Sequence, residues 1–488
     1  MTTARMEKDF LGKRELPGDV YWGIQTLRAG ENFPISGRRA HPALIRAAAA
    51  IKKAAALVNR DAGRLKKRQA NAIAGAAQEL IDGKMKDQFI VDVFQAGAGT
   101  SFHMNVNEVI ANRAIELLGG QKGQYELVHP NDHVNLGQST NDVFPTAMRL
   151  ACLELTVGLT AALGATVDAL ERKGRAFERV VKAGRTHLQD ATPVTLGGEF
   201  RAYARALAKC RARVTQAADE LRELGIGGSA VGTGVNTHPG YAREIVKLLE
   251  RITHNKLRPA ENLQEAMQSM APFAALSGVV KVLALELIRV ANDLRLLSSG
   301  PNTGLAEITL PAVQPGSSIM PGKVNPVMAE VLDMVAFHVV GNDTTVSLAT
   351  QAGQLELNVM MPVIAHNLLE SLEILANTLT LFAERCVSGI EADAEKCRRY
   401  AESSVAIVTA LSPRIGYHQA SAVARESVLT GKTIREVAAE KGLLSDEELE
   451  KLLKAENMLA PTEGAISRSR RPQRRSAGRT RKDAPGKK

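Results

Sequence analysis

Apolar positions recur with helical spacing along most of this chain. Residues 41–60 contain ALIRAAAAIKKAAALV, an alanine-rich helical pattern, and residues 104–118 read MNVNEVIANRAIELL. The second stretch brings Val106, Val109, Ile110, Ala114 and Leu117 to one face. Longer helical runs follow over about 142–180, 196–224, 260–299, 327–349 and 354–388. Many of these exceed about 25 residues, which predicts a bundle of long helices rather than a small compact domain. Pro362 should kink the last run or mark its true start. Strand signals are few and short, near Tyr21–Gly23 and Ile308–Leu310, and there is no internal repeat.

This pattern divides the chain into three helical parts and a tail. Residues 1–138 form a mixed helical N-terminal domain, and residues 139–392 a central domain of long helices. Residues 393–460 form a small helical C-terminal domain, in which Ser445-Asp-Glu-Glu resembles a helix start. The expected fold class is therefore mainly all-α. Composition agrees: aromatics are scarce at 4%, while alanine and leucine abound, so helices can approach closely. Apolar residues make up 45% and charged residues 23%, ordinary values for a globular protein.

Charge needs to be located before it is interpreted. Of the formal net charge of +10, residues 461–488 carry +8, from ten Lys and Arg against Glu463 and Asp483. The body is nearly neutral. The tail holds one large apolar residue, Ile466, and reads as a disordered, solubilising extension. Contact of this tail with nucleic acid or an acidic surface is the alternative, weakened because no aromatics interleave its arginines. Cys152, Cys210, Cys386 and Cys397 lie far apart without a C-x-x-C pair, which argues against a zinc site or a disulfide framework. No window reads as a membrane span. The most apolar region, Ala271 to Leu297, is broken by Lys281, Glu286, Arg289, Asp293 and Arg295. The start, MTTARMEKDFLGKREL, has no apolar core and is not a secretory signal. A reduced cytoplasm is the expected location.

Candidate chemistry concentrates in four polar segments. The most informative is Gly316 to Pro326, GSSIMPGKVNP, which places two serines, Lys323 and Asn325 in one loop ahead of a helix from Val327. Asn325 stands where a helix N-cap would be, with Pro326 at the first helical position. Free N–H groups, a helix dipole and Lys323 would together hold an anion. The others are Gly97-Ala-Gly-Thr-Ser101 before a helix from about Met104, and His129-Pro-Asn-Asp-His-Val-Asn135 with Gln138-Ser-Thr-Asn-Asp142 before a helix from about Val143. The last is Gly184-Arg-Thr-His-Leu-Gln-Asp190 before a helix from about Leu196. Taken singly, such residues cap helices routinely.

Taken together, these segments resemble the aspartase/fumarase superfamily, whose loop signature is G-S-S-x-M-P-x-K-x-N. The resemblance runs from about Asp9 to about Leu453. It implies a three-domain fold that assembles as a homotetramer around a core of twenty helices. Each active site would then be built from three subunits, and the monomer would be inactive. It also implies anti elimination across a Cα–Cβ bond of a small dicarboxylate, with no cofactor. Activation by a divalent cation is not legible in the sequence, and no metal ligands are identified. By this resemblance Ser317 is the base, acting as an alkoxide that loop N–H groups and Lys323 must stabilise. Lys323 and Asn325 would bind substrate carboxylate, and Thr186 and His187 the other carboxylate or the carbanion. Thr100, Ser101, Ser139, Thr140 and Asn141 would surround the leaving group, and Glu330 would pair with His187. His129, Asn131 and Asp132 match a second dicarboxylate site described for fumarases.

The leaving group is ammonia in aspartases and water in fumarases, and hydroxyls at Thr100, Ser139 and Thr140 suit either. The aspartase reading rests on G-A-G-T-S and S-T-N-D, on Gly341-Asn-Asp-Thr-Thr-Val and on Gly353-Gln-Leu-Glu-Leu-Asn-Val-Met. The N-terminal run from Tyr21-Trp-Gly-Ile-Gln-Thr leans the same way. His129-Pro-Asn-Asp and Gly322 lean toward fumarase, the alternative; a non-catalytic descendant is the remote one. His103 departs from the pattern, standing where relatives usually carry asparagine. Near the pocket, its titratable ring would alter pH dependence or substrate choice.

Overall fold

The computed structural model describes residues 4–460, so the basic tail over 461–488 lies outside the described residues. An antiparallel hairpin, β1 (Ala4–Asp9) and β2 (Gly12–Pro17), leads into α1 (Ile24–Asn32), α2 (Pro42–Asp61), α3 (Lys67–Ile81) and α4 (Thr100–Leu117). Next comes α5 (Thr140–Ala176), with 37 residues the longest described helix. A second hairpin, β3 (Val181–Thr186) and β4 (Gln189–Thr195), runs into α6 (Leu196–Asp219). Then follow α7 (Tyr241–Thr253), α8 (Leu263–Gln268), α9 (Ala271–Leu297), α10 (Val327–Gln351) and α11 (Met361–Arg385). The remainder holds α12 (Ala394–Ser403), α13 (Ser412–Ile415), α14 (Tyr417–Thr430), α15 (Ile434–Glu440) and α16 (Asp446–Leu453). The mainly helical fold expected from periodicity is thus observed.

These elements form two compact units. One takes the described residues up to Ala176 together with Phe200–Ala392; the other takes Phe177–Glu199 and the described residues from Asp393. In the first unit α9 packs on α10, α10 on α11 and α11 on α5, while α2 lies against α3, α5 and α7. The sequence explains this. Leu276, Val280, Leu283, Leu287, Val290 and Leu294 of α9 recur at three- and four-residue steps and are buried, as are Leu332, Ala336, Val339 and Val346 of α10. Each fully buried leucine contributes about 2 kcal/mol relative to exposure. Two of the charges that interrupt the apolar run of α9 reach across to α10, while Arg289 pairs with Glu286 and Asp293 along α9 itself. Lys281 Nζ lies 2.6 Å from Asp343 Oδ2, and Arg295 Nη1 lies 2.9 Å from Asp333 Oδ2.

Several boundaries differ from those the periodicity suggests. The run over 260–299 is two helices, because Pro272 follows the break at Ser269 and Met270 and opens α9. Pro362 marks the start of α11 rather than a kink. Tyr21–Gly23 is not a strand, since its N–H groups go to side chains: Tyr21 to Gln88 Oε1 and Gly23 to Glu108 Oε2. Ile308–Thr309 does pair, over two residues, with Glu391–Ala392. Leu117 ends α4 exposed, beyond the buried face of Val106, Val109, Ile110 and Ala114. By length and composition α5 and α9 are each apolar enough to cross a membrane, contrary to the expectation that no window is. In α9 the cause is uneven spacing, as residues 271–288 hold only Lys281 and Glu286.

In the second unit α12 packs on β3, and β4 on the short turn over 405–410. Its core joins Ile407, Leu411, Val423, Ile434, Val437, Ala438, Leu449 and Leu453. Ser445 starts α16 as expected, in a capping box with Glu448.

Candidate active site

The loop from Gly316 to Pro326 closes on itself. Gly316 N–H donates to the Lys323 carbonyl at 2.8 Å, and Asn325 Nδ2 donates to the Gly316 carbonyl at 2.7 Å. A Cβ on residue 316 would stand 2.7 Å from the Lys323 oxygen, so only glycine fits this neck. Inside the loop, Ser317 Oγ accepts the N–H groups of Ile319 at 3.2 Å and Met320 at 3.0 Å. Two backbone dipoles aimed at one oxygen stabilise negative charge on it. Ser317 is half-buried, Lys323 is exposed, and Ile319 at the tip is 84% exposed. The expectation that Asn325 caps the next helix fails. Pro326 occupies that position, because the Asn325 side chain is drawn back to the neck. Glu330 lies half-buried on the first turn of α10.

A second cluster forms where α4 and α5 begin. Thr100 opens α4 several residues before Met104, which leaves Thr100 exposed and Ser101 half-buried on its first turn. Gly99 has φ +85°, and a Cβ there would lie 2.3 Å from the Phe144 ring, so glycine lets this end close on α5. The start of α5 also moves forward, to Thr140, because Ser139 caps it. Ser139 Oγ accepts Asn141 N–H at 3.3 Å, while Ser139 N–H donates to Asp142 Oδ1 at 2.9 Å.

Asp142 connects this cluster to a loop outside the four polar segments, Gly225 to Gly240. Its Oδ2 accepts the N–H groups of Gly227 and Ser229, each at 3.0 Å, and Asn141 Nδ2 donates to the Ala230 carbonyl at 2.8 Å. The available signal was the glycine run GIGGSAVGTG, whose Gly227, at φ +97°, has no room for a Cβ beside Ala242. Burial pushes the Asp142 carboxyl up to about 6, against the downward pull of its three N–H partners. Asp142→Asn keeps one acceptor oxygen and turns an NH2 toward backbone donors. The expected cost is about 2–3 kcal/mol of stability, read as a lower denaturation midpoint; an unchanged midpoint would refute this account.

Lys52 and His103 lie beneath the same cluster, both buried. His103 Nδ1 is 2.7 Å from Thr140 Oγ1, and its Nε2 is 2.6 Å from Lys52 Nζ. Lys52 Nζ also donates to Asn135 Oδ1 and Gln138 Oε1, both at 2.9 Å. A lysine on the alanine face of α2 was the signal for this, and periodicity alone does not separate it from its half-buried neighbour Lys53, which turns to Gln78 instead.

In the second unit, Thr186 and His187 end an antiparallel hairpin rather than a plain loop. Thr186 pairs with Gln189, and His187 and Leu188 form the two-residue tip with φ of 55° and 59°. Such turns prefer Asn-Gly, so His187-Leu188 carries no hairpin signal. Side chains holding a left-handed backbone store strain typical of functional positions. Both Thr186 and His187 are exposed.

His129 begins a turn over Pro130–Val134, its Nδ1 accepting the N–H groups of Asn131 and Asp132, each at 3.2 Å. The Asp132 carboxylate lies 3.4 Å from that nitrogen. Among the described residues no three His, Cys, Asp or Glu side chains converge to hold a metal.

The residues singled out thus gather at the 316–326 loop, at the starts of α4 and α5, at the β3–β4 tip, and around His129. Known proteins share this framework. A family model described as a lyase matches residues 12–341, and one described as the fumarase C C-terminus matches residues 407–460. An aspartate ammonia-lyase of Bacillus subtilis is 49% identical over 94% of this chain and 96% of its own length. That of Escherichia coli K12 is 46% identical over 94% and 96%. A cobalt-bound crystal structure of a fumarate lyase:delta crystallin from Brucella melitensis superposes with a TM-score of 0.91, at 49% identity, covering 94% of this chain and 100% of that one. A class II fumarase from Schistosoma mansoni gives 0.90 at 38% identity, covering 93% and 99%. Sequence and fold agree over nearly the whole length, and the chain belongs to the aspartase/fumarase superfamily of lyases.

Proposed function

We propose that this protein is an aspartate ammonia-lyase, converting L-aspartate reversibly to fumarate and ammonia. The observation that carries the chemistry is the Ser317 oxygen held by two loop N–H groups. The choice of ammonia rests on relatives of that name at 46–49% identity. A Cβ proton is a very weak acid, so most of the catalytic work is stabilising the doubly charged aci-carboxylate left when it goes. Ser317 as alkoxide removes that proton. The electron pair spreads into the neighbouring carboxylate, held by Lys323 and by the second amide hydrogen of Asn325, and the Cα–N bond then breaks. Thr100, Ser101, Ser139, Thr140 and Asn141 surround the departing nitrogen. Thr186 and His187, the latter paired with Glu330, hold the remaining charge. No step calls for a cofactor.

The active unit in this reading is a cytoplasmic homotetramer with each site shared by three subunits, its chains divided near residues 138 and 392. An exposed apolar stripe on α10 supports assembly: Val331, Met334, Phe337 and Leu348 recur along one face, and Met334 and Phe337 are 65% and 58% exposed. The tail over 461–488 is a solubilising extension, and His129, Asn131 and Asp132 a second dicarboxylate site.

Fumarate hydratase activity is the second reading, favoured by Gly322 and by the 38% identical fumarase. Incubation with L-aspartate and separately with L-malate, followed by fumarate absorbance, decides. Fumarate and ammonia should appear from aspartate while malate stays inert; the reverse pattern installs the hydratase.

A further inference from the structure

The buried Lys52–His103–Thr140 chain has an unusual property: its hydrogen bonds are complete in two protonation states. Asn135 spends its Nδ2 on the Gln138 carbonyl, and Gln138 its Nε2 on the Val134 and Leu136 carbonyls. Both amide oxygens are therefore fixed toward Lys52, and each takes one of its N–H bonds. With Lys52 as ammonium, its third N–H goes to His103 Nε2. His103 then carries its proton on Nδ1, donates to Thr140 Oγ1, and leaves the Thr140 hydroxyl proton free to point away. With Lys52 neutral, its lone pair accepts from His103 Nε2–H, and the Thr140 hydroxyl donates inward to Nδ1. Neither state leaves a buried donor or acceptor of the chain unmet.

Resting on the proposed ammonia-lyase reading, we propose that these three residues are a dead-ended proton relay opening at the leaving-group pocket, with His103 as the member that passes the proton. When the Cα–N bond breaks, its electron pair stays on nitrogen and ammonia is released beside Thr140. Thr140 gives that nitrogen its proton, takes one from His103 Nδ1, and His103 Nε2 takes one from Lys52. Nitrogen departs as ammonium, which cannot add back to fumarate, and Lys52 is left neutral. Water entering the emptied pocket gives a proton back along the same path, and the hydroxide left is neutralised by the proton that Ser317 sheds to solvent when its alkoxide reforms. In the reverse direction the relay strips ammonium to the nucleophilic amine.

The environment suits a transferable proton. Burial holds the Lys52 ammonium well below the usual lysine range, against the pull of Asp142 on α5. Burial and the charge of Lys52 on α2 hold His103 neutral well below its ordinary range. These are the charges that act on the pair. An asparagine at this position could not pass a proton between two atoms of its side chain, so the relay depends on the histidine ring between Lys52 and Thr140.

The test compares the intact wild type with His103→Asn on L-aspartate, across pH and in light and heavy water. The wild type should lose activity as pH rises through the lowered Lys52 ionisation. In the variant kcat should fall about a hundredfold, with KM nearly unchanged, the alkaline limb displaced and the solvent isotope effect reduced. An unchanged pH profile and isotope effect, or a uniform loss without change of either, overturns the relay. If His103→Asn fails to fold, histidine nitrogen resonances of the wild type serve instead. His103 should move from the Nδ1–H to the Nε2–H tautomer as pH rises, and a fixed tautomer overturns the relay. That readout needs no turnover, so a wild type inert toward aspartate would sink the function while leaving the tautomer switch to be judged separately.

Discussion

Ser317→Ala should lower kcat by about a thousandfold or more, equivalent to about 4 kcal/mol of transition-state stabilisation, while the protein still folds and binds dicarboxylate. The side chain is half-buried on an exposed loop, and its only described bonds come from two N–H groups that solvent can satisfy once the oxygen is gone. The neck joining Gly316, Lys323 and Asn325 does not involve it. The loss should therefore appear in kcat, with KM moving little, because the hydroxyl acts on the Cβ proton and not on the carboxylates. Steady-state rates on L-aspartate check this. A variant within tenfold of wild type would remove Ser317 from the role of base.

The second large effect is on assembly. A double substitution, Met334→Glu with Phe337→Glu, places two carboxylates in the exposed apolar stripe of α10. If that stripe is covered by another copy, each buried, unpaired carboxylate costs several kcal/mol, and four chains repeat the penalty. The expected product is a folded monomer or dimer with turnover reduced at least a hundredfold, about 3 kcal/mol. Light scattering after size exclusion gives the mass, and the fumarate assay gives the activity. A tetramer that keeps both glutamates would show that the stripe faces solvent. A fully active monomer would show that one chain builds the site alone.

Much of this fold was legible because long helices announce themselves by apolar spacing. The runs over 41–60 and 327–349 became α2 and α10 almost residue for residue. What periodicity cannot see is where side chains replace backbone partners. Ser139 caps α5 ahead of its apolar pattern, and Gln88 and Glu108 take the Tyr21 and Gly23 N–H groups that a strand would have paired. The β3–β4 hairpin was hidden because His187 and Leu188 are poor turn residues. The catalytic loop was readable from residue types, yet the role of Asn325 in closing it was not, since that depends on a contact nine residues back. Lys52 was invisible as a site residue, because its meaning comes from Asn135, Gln138 and His103, all distant in sequence.

The closed neck of the 316–326 loop has a mechanical consequence. Because residues 316, 323 and 325 are fastened to one another, the loop can be displaced only as one piece. Ser317 and Lys323 both belong to that piece. A swing that brings the loop onto a substrate would carry proton acceptor and carboxylate anchor along at constant separation, so closure could adjust reach without retuning the pair.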